Sequence, residues 1–235
     1  MSQIRGVLFD KDGVLIDFEA TWDPVIRKVA DEIARGDAAL AARLLVLGGY
    51  DEAAGLARPG TVLAAGTPPE VAAIWIDHVA GWEEAALTVE IDRLFDAVSP
   101  DHLVPLVDVA ALFARLKGRG LALGVATNDS EFGARNGLER LGGLEHLDFL
   151  AGYDSGHGSK PGPGMAEAFC RATGLAPGEV AVVGDNPHDL EMGRSAGLGL
   201  RIGVLSGAGD AATLAPLADQ VIAGVAELEA LLERA

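Results

Sequence analysis

Six short aliphatic runs, at 7–9, 121–126, 149–153, 180–183, 199–204 and 220–222, alternate with stretches whose apolar residues return every three or four positions, at 107–117, 131–141, 165–173, 190–196 and 225–234. Each run is bounded by glycine or acidic residues and reads as a strand, and each intervening stretch reads as a helix. Strand and helix taking turns in this way require a mostly parallel sheet covered on both faces, because right-handed crossovers put the helices there. The expected fold class is α/β with a doubly wound core. One interval breaks the rhythm. Between 17 and 99 no strand is evident, while Val25, Val29 and Ile33, then Leu87, Ile91 and Leu94, recur at helical spacing. A loop containing glycine and proline, 48–69, divides that interval. The reading is a core formed by 1–16 and 100–235, with an all-helical domain, 17–99, inserted directly after the first strand. No internal repeat or low-complexity tract interrupts the pattern.

Composition narrows the partners. A chain of 235 residues, 49% hydrophobic and 23% charged, buries a core without staples and is not disordered. Its 18 basic and 35 acidic side chains give a formal charge of -17, which argues against nucleic acid or an anionic membrane as partner. The same charge poses a problem for any anionic substrate. The single cysteine, Cys170, cannot close an internal disulfide and reads as a buried structural thiol. No apolar run reaches the roughly 18 residues of a membrane span, and the amino terminus lacks a basic-then-apolar signal. A cytoplasmic protein, monomer or homodimer, is expected.

In open α/β sheets ligands collect beyond the carboxyl ends of the strands. The first strand ends in Asp10 and Asp12, the second in Ala126-Thr127-Asn128-Asp129, the third is followed by Ser159-Lys160-Pro161, and the fourth ends in Gly184-Asp185-Asn186-Pro187-His188-Asp189. Carboxylates at the end of a buried strand are costly unless something pairs with them. Asp10, Asp185 and the backbone carbonyl of Asp12 offer the oxygen ligands that Mg²⁺ prefers. A carboxylate nucleophile beside such a cation can form an aspartyl-phosphate, splitting one hard displacement into two easier ones. Lys160 would cancel further charge, and the Thr127 hydroxyl with nearby backbone N–H groups would hold phosphate oxygens in line. Metal and lysine together resolve the problem of the acidic surface. Asp12, close to the negative Asp10, is suited to a raised pKa and to service as general acid and then base. Gly13 permits the tight turn that gathers both aspartates.

With Asp10-Lys11-Asp12-Gly13-Val14-Leu15-Ile16-Asp17, Thr127-Asn128, Lys160-Pro161 and Gly184-Asp185-Asn186-Pro187-His188-Asp189 in order, the chain resembles the haloacid dehalogenase superfamily. The resemblance implies a Rossmann-like core with a movable helical cap, Mg²⁺ as cofactor, Asp10 as nucleophile and a small phosphorylated metabolite as substrate. An insertion after the first strand matches the branch that contains phosphoglycolate phosphatases, which makes phosphoglycolate the leading substrate. Phosphomutases of the β-phosphoglucomutase type and sugar or nucleotide phosphatases share the core motifs and stand as alternatives. The superfamily's dehalogenases lack the second aspartate. Its phosphonate-cleaving members use a cap lysine, for which Lys28 is the one candidate between Lys11 and Lys117.

Several residues admit a plainer role. Asp185 also suits a helix N-cap ahead of Pro187. Asp189 suits the positive end of a helix dipole, or a supporting role at the metal. Arg58, in the loop between the inserted helices, either grips a substrate carboxylate or stands exposed. Asn128 is expected to contribute its backbone N–H, and His188 to be structural or exposed. Of Trp22, Trp75 and Trp82, two are expected in the core of the insertion. The glycine-rich stretch 156–164 is not a P-loop, because Lys160 precedes proline. A receiver-type phosphoacceptor would place its accepting aspartate on the third strand, where this chain offers lysine instead.

Overall fold

The computed structural model describes residues 3–234. They form two compact units, one taking the chain up to Asp17 and again from Pro105, the other Phe18–Val104. The sequence boundaries, 17–99 for the insertion, fall one residue early at the start and five early at the end. The difference has a local cause. A turn of 3-10 helix, Ser99–Asp101, continues the preceding helix, and the Val104 N–H donates to the Thr21 hydroxyl at 3.1 Å, which ties the segment back to the insertion.

In chain order the first unit opens with strand β1 (Gly6–Phe9), all four residues of which are buried. The insertion comes next, with α1 (Phe18–Ile33), α2 (Ala38–Leu47), β2 (Tyr50–Asp51), β3 (Leu56–Ala57), α3 (Val62–Ala65), α4 (Pro68–Trp75) and α5 (Glu84–Val98). Helix α1 buries Trp22, Val25, Ile26, Val29, Ala30 and Ile33 along one stripe. Helix α2 starts where the Asp37 carboxylate accepts the N–H groups of Ala39 and Leu40. The insertion is not all-helical: β2 and β3 pair antiparallel, Tyr50 with Ala57 and Asp51 with Leu56. The Asp51 carboxylate accepts from Ala53 and Ala54, and Gly55, at φ +75°, donates to the Asp51 carbonyl to close the turn. Two residues per strand are too few to show an alternation, so the ribbon is silent in the sequence. Trp75 is fully buried and its indole N–H donates to the Leu44 carbonyl at 2.9 Å. Trp22 is buried edge-on against Phe95, whereas Trp82 is half-buried beneath the Arg35 guanidinium. Two of the three tryptophans are thus core, as expected.

The chain re-enters the first unit through α6 (Val109–Gly118), β4 (Ala122–Ala126), α7 (Glu131–Arg140), β5 (Phe149–Ala151), α8 (Gly164–Thr173), β6 (Val180–Gly184), α9 (Pro187–Ser195), β7 (Leu200–Val204), α10 (Ala211–Leu214), β8 (Gln220–Ile222) and α11 (Leu228–Leu232). Six strands form one sheet in the order β5-β4-β1-β6-β7-β8, and every neighbouring pair is parallel. Val7 and Phe9 point to one face, under α6 and α11, with Phe113 against Phe9. Leu8 points to the other, under α8, with Phe169 and the buried Cys170. Helix α9 begins at Pro187, earlier than the expected 190, because Asn186 caps it. Helix α10 is a four-residue element that the sequence pattern does not mark. Among the described residues no helix is long and apolar enough to cross a membrane.

The chain runs outward from β1 to β4 and β5, then returns to the other side of β1 to lay down β6, β7 and β8. That reversal opens a crevice between β1 and β6 at their carboxyl ends.

Truncating Trp75 tests the core of the insertion. Trp75→Ala is expected to lower the opening free energy of α2, α4 and α5 by about 3–5 kcal/mol, read as faster amide hydrogen exchange there. Trp82→Ala is expected to change the same amides far less.

Candidate active site

Asp10 is the first residue past β1 and still belongs to the ladder, its N–H donating to the Val183 carbonyl at 2.8 Å. Its side chain is buried, and its Oδ1 accepts the Lys11 N–H at 2.6 Å and faces the Lys160 Nζ at 2.7 Å. Asp185 stands at the end of the adjacent strand β6, across the crevice. Its Oδ2 accepts the Ala208 N–H at 2.6 Å, and its backbone carbonyl accepts that of Gly209. Two glycines make room for it: a Cβ on Gly13, at φ +73°, would lie 2.4 Å from Asp185 Oδ2, and one on Gly207 would lie 2.1 Å away. Gly13 is therefore required both by its left-handed backbone and by this close approach.

The N-cap alternative for Asp185 does not hold. Asn186 takes that place, its side chain accepting from His188 while the Asp189 Oδ2 accepts the Asn186 N–H at 3.1 Å. Asp189 sits in the first turn of α9, and its other oxygen, Oδ1, faces Lys160 Nζ at 2.6 Å. Lys160 thus bridges Asp10 and Asp189 from the loop after β5. That loop is pinned by the Asn128 side chain, whose Oδ1 accepts the Lys160 N–H at 2.9 Å and whose amide donates to the Lys160 carbonyl at 3.3 Å. The side chain of Asn128, rather than only its backbone, has a structural task. Thr127 is buried beside it, and its hydroxyl oxygen accepts the Asp129 N–H at 3.1 Å.

Asp10, Asp185 and Asp189 each offer a carboxylate oxygen within 4.8 Å of the others, all three buried. One ammonium, Lys160, touches two of them. Burial and the neighbouring Asp189 hold Asp10 well above the usual carboxylate range despite Lys160. Burial, again with Asp189, pushes Asp185 up to about 7. Burial opposes the charge on Lys160, but Asp10 and Asp189 outweigh it and hold the ammonium above its ordinary value. Oxygen donors in surplus negative charge are the setting that a hard divalent cation such as Mg²⁺ fits. His188 is not part of the cluster, and its Nδ1 is buried without a hydrogen bond.

Asp12 differs from expectation in its surroundings. It is close enough to Asp10 for its charge to be felt there, as the sequence suggests, but its carboxylate rests on the ammonium of Lys11, 3.0 Å from Oδ1 and 2.9 Å from Oδ2. Lys11 also reaches Asp129 Oδ2 at 3.1 Å. The strand-end motifs contain both Lys11 and Asp129 but give no sign of a role for either. Nor do they reach the loop 206–209, which supplies the N–H to Asp185 and where the Ser206 hydroxyl donates to the Gly13 carbonyl. That loop is a fifth strand end, past β7, and its place at a carboxyl end is the signal that marks it. Arg58 belongs to the insertion and stands exposed just past β3, its N–H donating to the Gly49 carbonyl and its carbonyl accepting from the Thr61 hydroxyl.

Comparison with known proteins agrees with this geometry. A family model described as haloacid dehalogenase-like hydrolase matches residues 4–197. The phosphoglycolate phosphatase of Rhodospirillum rubrum is 28% identical over 199 residues, covering 83% of this chain and 77% of that protein. The N-acetylmuramic acid 6-phosphate phosphatase of Pseudomonas putida is 29% identical over 195 residues, covering 83% of this chain and 80% of its own length. A haloacid dehalogenase-like family hydrolase from Streptococcus pneumoniae shares the fold with a TM-score of 0.71 at 16% identity, over 98% of this chain and 99% of that one. Since the matched stretch runs from the start of the first strand past the carboxylate cluster, the chain belongs to the haloacid dehalogenase-like hydrolases.

Proposed function

We propose that the protein is a phosphomonoester hydrolase that passes the phosphoryl group through Asp10 and acts on a small phosphorylated metabolite, phosphoglycolate first among them. The observation that carries this reading is the meeting of Asp10, Asp185 and Asp189 with Lys160 in one buried cluster. In the first step a carboxylate oxygen of Asp10 attacks phosphorus and the bond to the ester oxygen breaks, while Asp12 gives that oxygen its proton. In the second step Asp12 takes a proton from water as the water oxygen attacks phosphorus, which frees Asp10 and releases phosphate. Lys160 balances charge on the nucleophile and the transferring group. Thr127, whose oxygen already accepts from Asp129, has its own proton to donate to a phosphate oxygen. Asn128 keeps Lys160 in place. Asp10, Asp185 and Asp189, with the Asp12 backbone carbonyl, would hold Mg²⁺, which supplies the charge neutralisation that an anionic nucleophile needs against an anionic phosphate.

The unit Phe18–Val104 is read as the cap that excludes water from the first step. Arg58 is its candidate for a substrate carboxylate, through a bidentate pair. The relative from Rhodospirillum rubrum, a phosphoglycolate phosphatase, favours a substrate with such a group.

Phosphate release from a panel of phosphorylated metabolites, with and without Mg²⁺, checks the reading. Asp10→Asn is expected to abolish turnover, a loss of at least about 10⁴-fold, with the circular dichroism spectrum unchanged; substantial residual turnover would remove Asp10 as nucleophile. Arg58→Ala is expected to raise KM for carboxylate-bearing phosphates and leave other esters alone.

Asp185 gives a pH prediction without turnover. In the metal-free protein its folded pKa, about 7, lies above its unfolded value, so the folded state binds the proton more tightly. Stability therefore falls as pH rises from about 4 to about 7. Asp185→Asn lifts that penalty. With metal chelated at pH 8 the variant is expected to melt about 2 °C or more above the wild type, and added Mg²⁺ to raise its melting point less. A variant that melts lower under chelation would contradict the crowding.

A further inference from the structure

The proposed reaction leaves three buried or nearly buried charges partly unexplained. Lys11 is 3% exposed, and its ammonium lies between the carboxylates of Asp12 and Asp129. Burying such a set is costly, and an apolar trio of the same volume would hold the two loops together at least as well. A charged arrangement is therefore better explained by what it does to one of its members. Lys11 contacts both oxygens of Asp12 and so anchors that carboxylate. Lys11 is fixed in turn by Asp129, and Asp129 by the Ser130 N–H, which donates to its Oδ1 at 2.8 Å. The chain of contacts runs from the loop after β1 to the loop after β4.

We propose that Lys11 and Asp129 are positioning residues for Asp12, holding its carboxylate where it passes the proton to and from the ester oxygen and the attacking water. The proposal rests on the assignment of Asp12 as acid and base. The contact of Asp129 with the Thr127 hydroxyl is made by its backbone N–H, so substitution of the Asp129 side chain leaves it in place.

Proton donation matters in proportion to how poor the leaving oxygen is, and this separates positioning from general damage. The release of the leaving alcohol in the first turnover would be monitored by rapid mixing of the Mg²⁺-loaded enzyme with p-nitrophenyl phosphate, which releases p-nitrophenol and needs little help, and with phenyl phosphate, which releases the more basic phenol. Three variants would be compared with the wild type: Asp12→Asn, Asp129→Asn, and the charge-balanced pair Lys11→Met with Asp129→Asn. Asp12→Asn is expected to slow phenyl phosphate cleavage by on the order of 10²-fold or more while slowing p-nitrophenyl phosphate much less. Asp129→Asn and the double variant are expected to show the same selective loss, at about 10-fold or more on phenyl phosphate, with an unchanged KM for p-nitrophenyl phosphate.

If Asp12→Asn shows the selective loss and the other two variants lose both substrates equally, or neither, Lys11 and Asp129 do not position Asp12 and the proposal is overturned. If Asp12→Asn itself shows no selectivity, the assignment of the acid fails and the proposal falls with it. If the double variant does not fold, Asp129→Asn alone decides between those outcomes, because it leaves the contact between Lys11 and Asp12 in place and loosens only its anchor.

Discussion

Three carboxylates held within 4.8 Å of one another at the carboxyl end of a sheet are the constraint on which the rest of this structure turns. Like charges at about 4 Å repel by on the order of 4 kcal/mol even in the partly solvated environment near a protein surface. That exceeds what a surface ion pair returns, so the chain must either protonate these groups or surround them with positive charge. Lys160 supplies one ammonium and touches Asp10 and Asp189. Burial first, and then the repulsion from Asp189, raise the pKa values of Asp10 and Asp185. A divalent cation, under the proposed function, would offset the surplus negative charge that remains. The net charge of -17 is then no obstacle to an anionic substrate, because the local balance at the strand ends is what the phosphate meets.

The sheet makes the crowding possible. Asp10 and Asp185 lie at the ends of β1 and β6, neighbours in the sheet but far apart in the chain, at the place where the order of strands reverses. Their backbones are fixed by the parallel ladder, Phe9 opposite Val183. Gly13 and Gly207 then let two loops close over Asp185 without a side chain in the way. Asn128 and Asn186, neither of them charged, complete the arrangement: one holds the backbone of Lys160, the other caps α9 and so frees Asp185 from that duty. Stability is surrendered at the carboxylates and recovered in the two layers of aliphatic and aromatic packing on either side of the sheet.

Much of this is legible in the sequence because it depends on periodicity and on strand ends. Each aliphatic run marks one of the six strands, and the polar residues at the carboxyl ends of the first four include Asp10, Thr127, Asn128, Lys160, Asp185 and Asp189. The features that a linear pattern hides are set by contacts that cross the chain. The Tyr50–Asp51 and Leu56–Ala57 ribbon is too short to alternate. The loop 206–209 carries no charged side chain until Asp210, and it serves Asp185 through a backbone N–H, which leaves no mark in the residue types. Lys11 and Asp129 are ordinary polar residues in sequence, and only folding brings the ammonium of one to the carboxylate of the other. The surroundings of Asp12 are hidden for another reason: Asp10 and Lys11 both lie near it along the chain, and only the fold shows that its carboxylate meets the ammonium of Lys11.

The central claim is that Asp10 carries phosphorus covalently during turnover. Mixing the Mg²⁺-loaded protein with a cleavable phosphate ester, quenching in acid within the first turnovers and mapping peptides by mass spectrometry would show this. The expected result is the mass of one phosphoryl group on the peptide that contains Asp10, lost on treatment with hydroxylamine. Turnover proceeding with that peptide unmodified, or with the phosphoryl group on any other side chain, would contradict it.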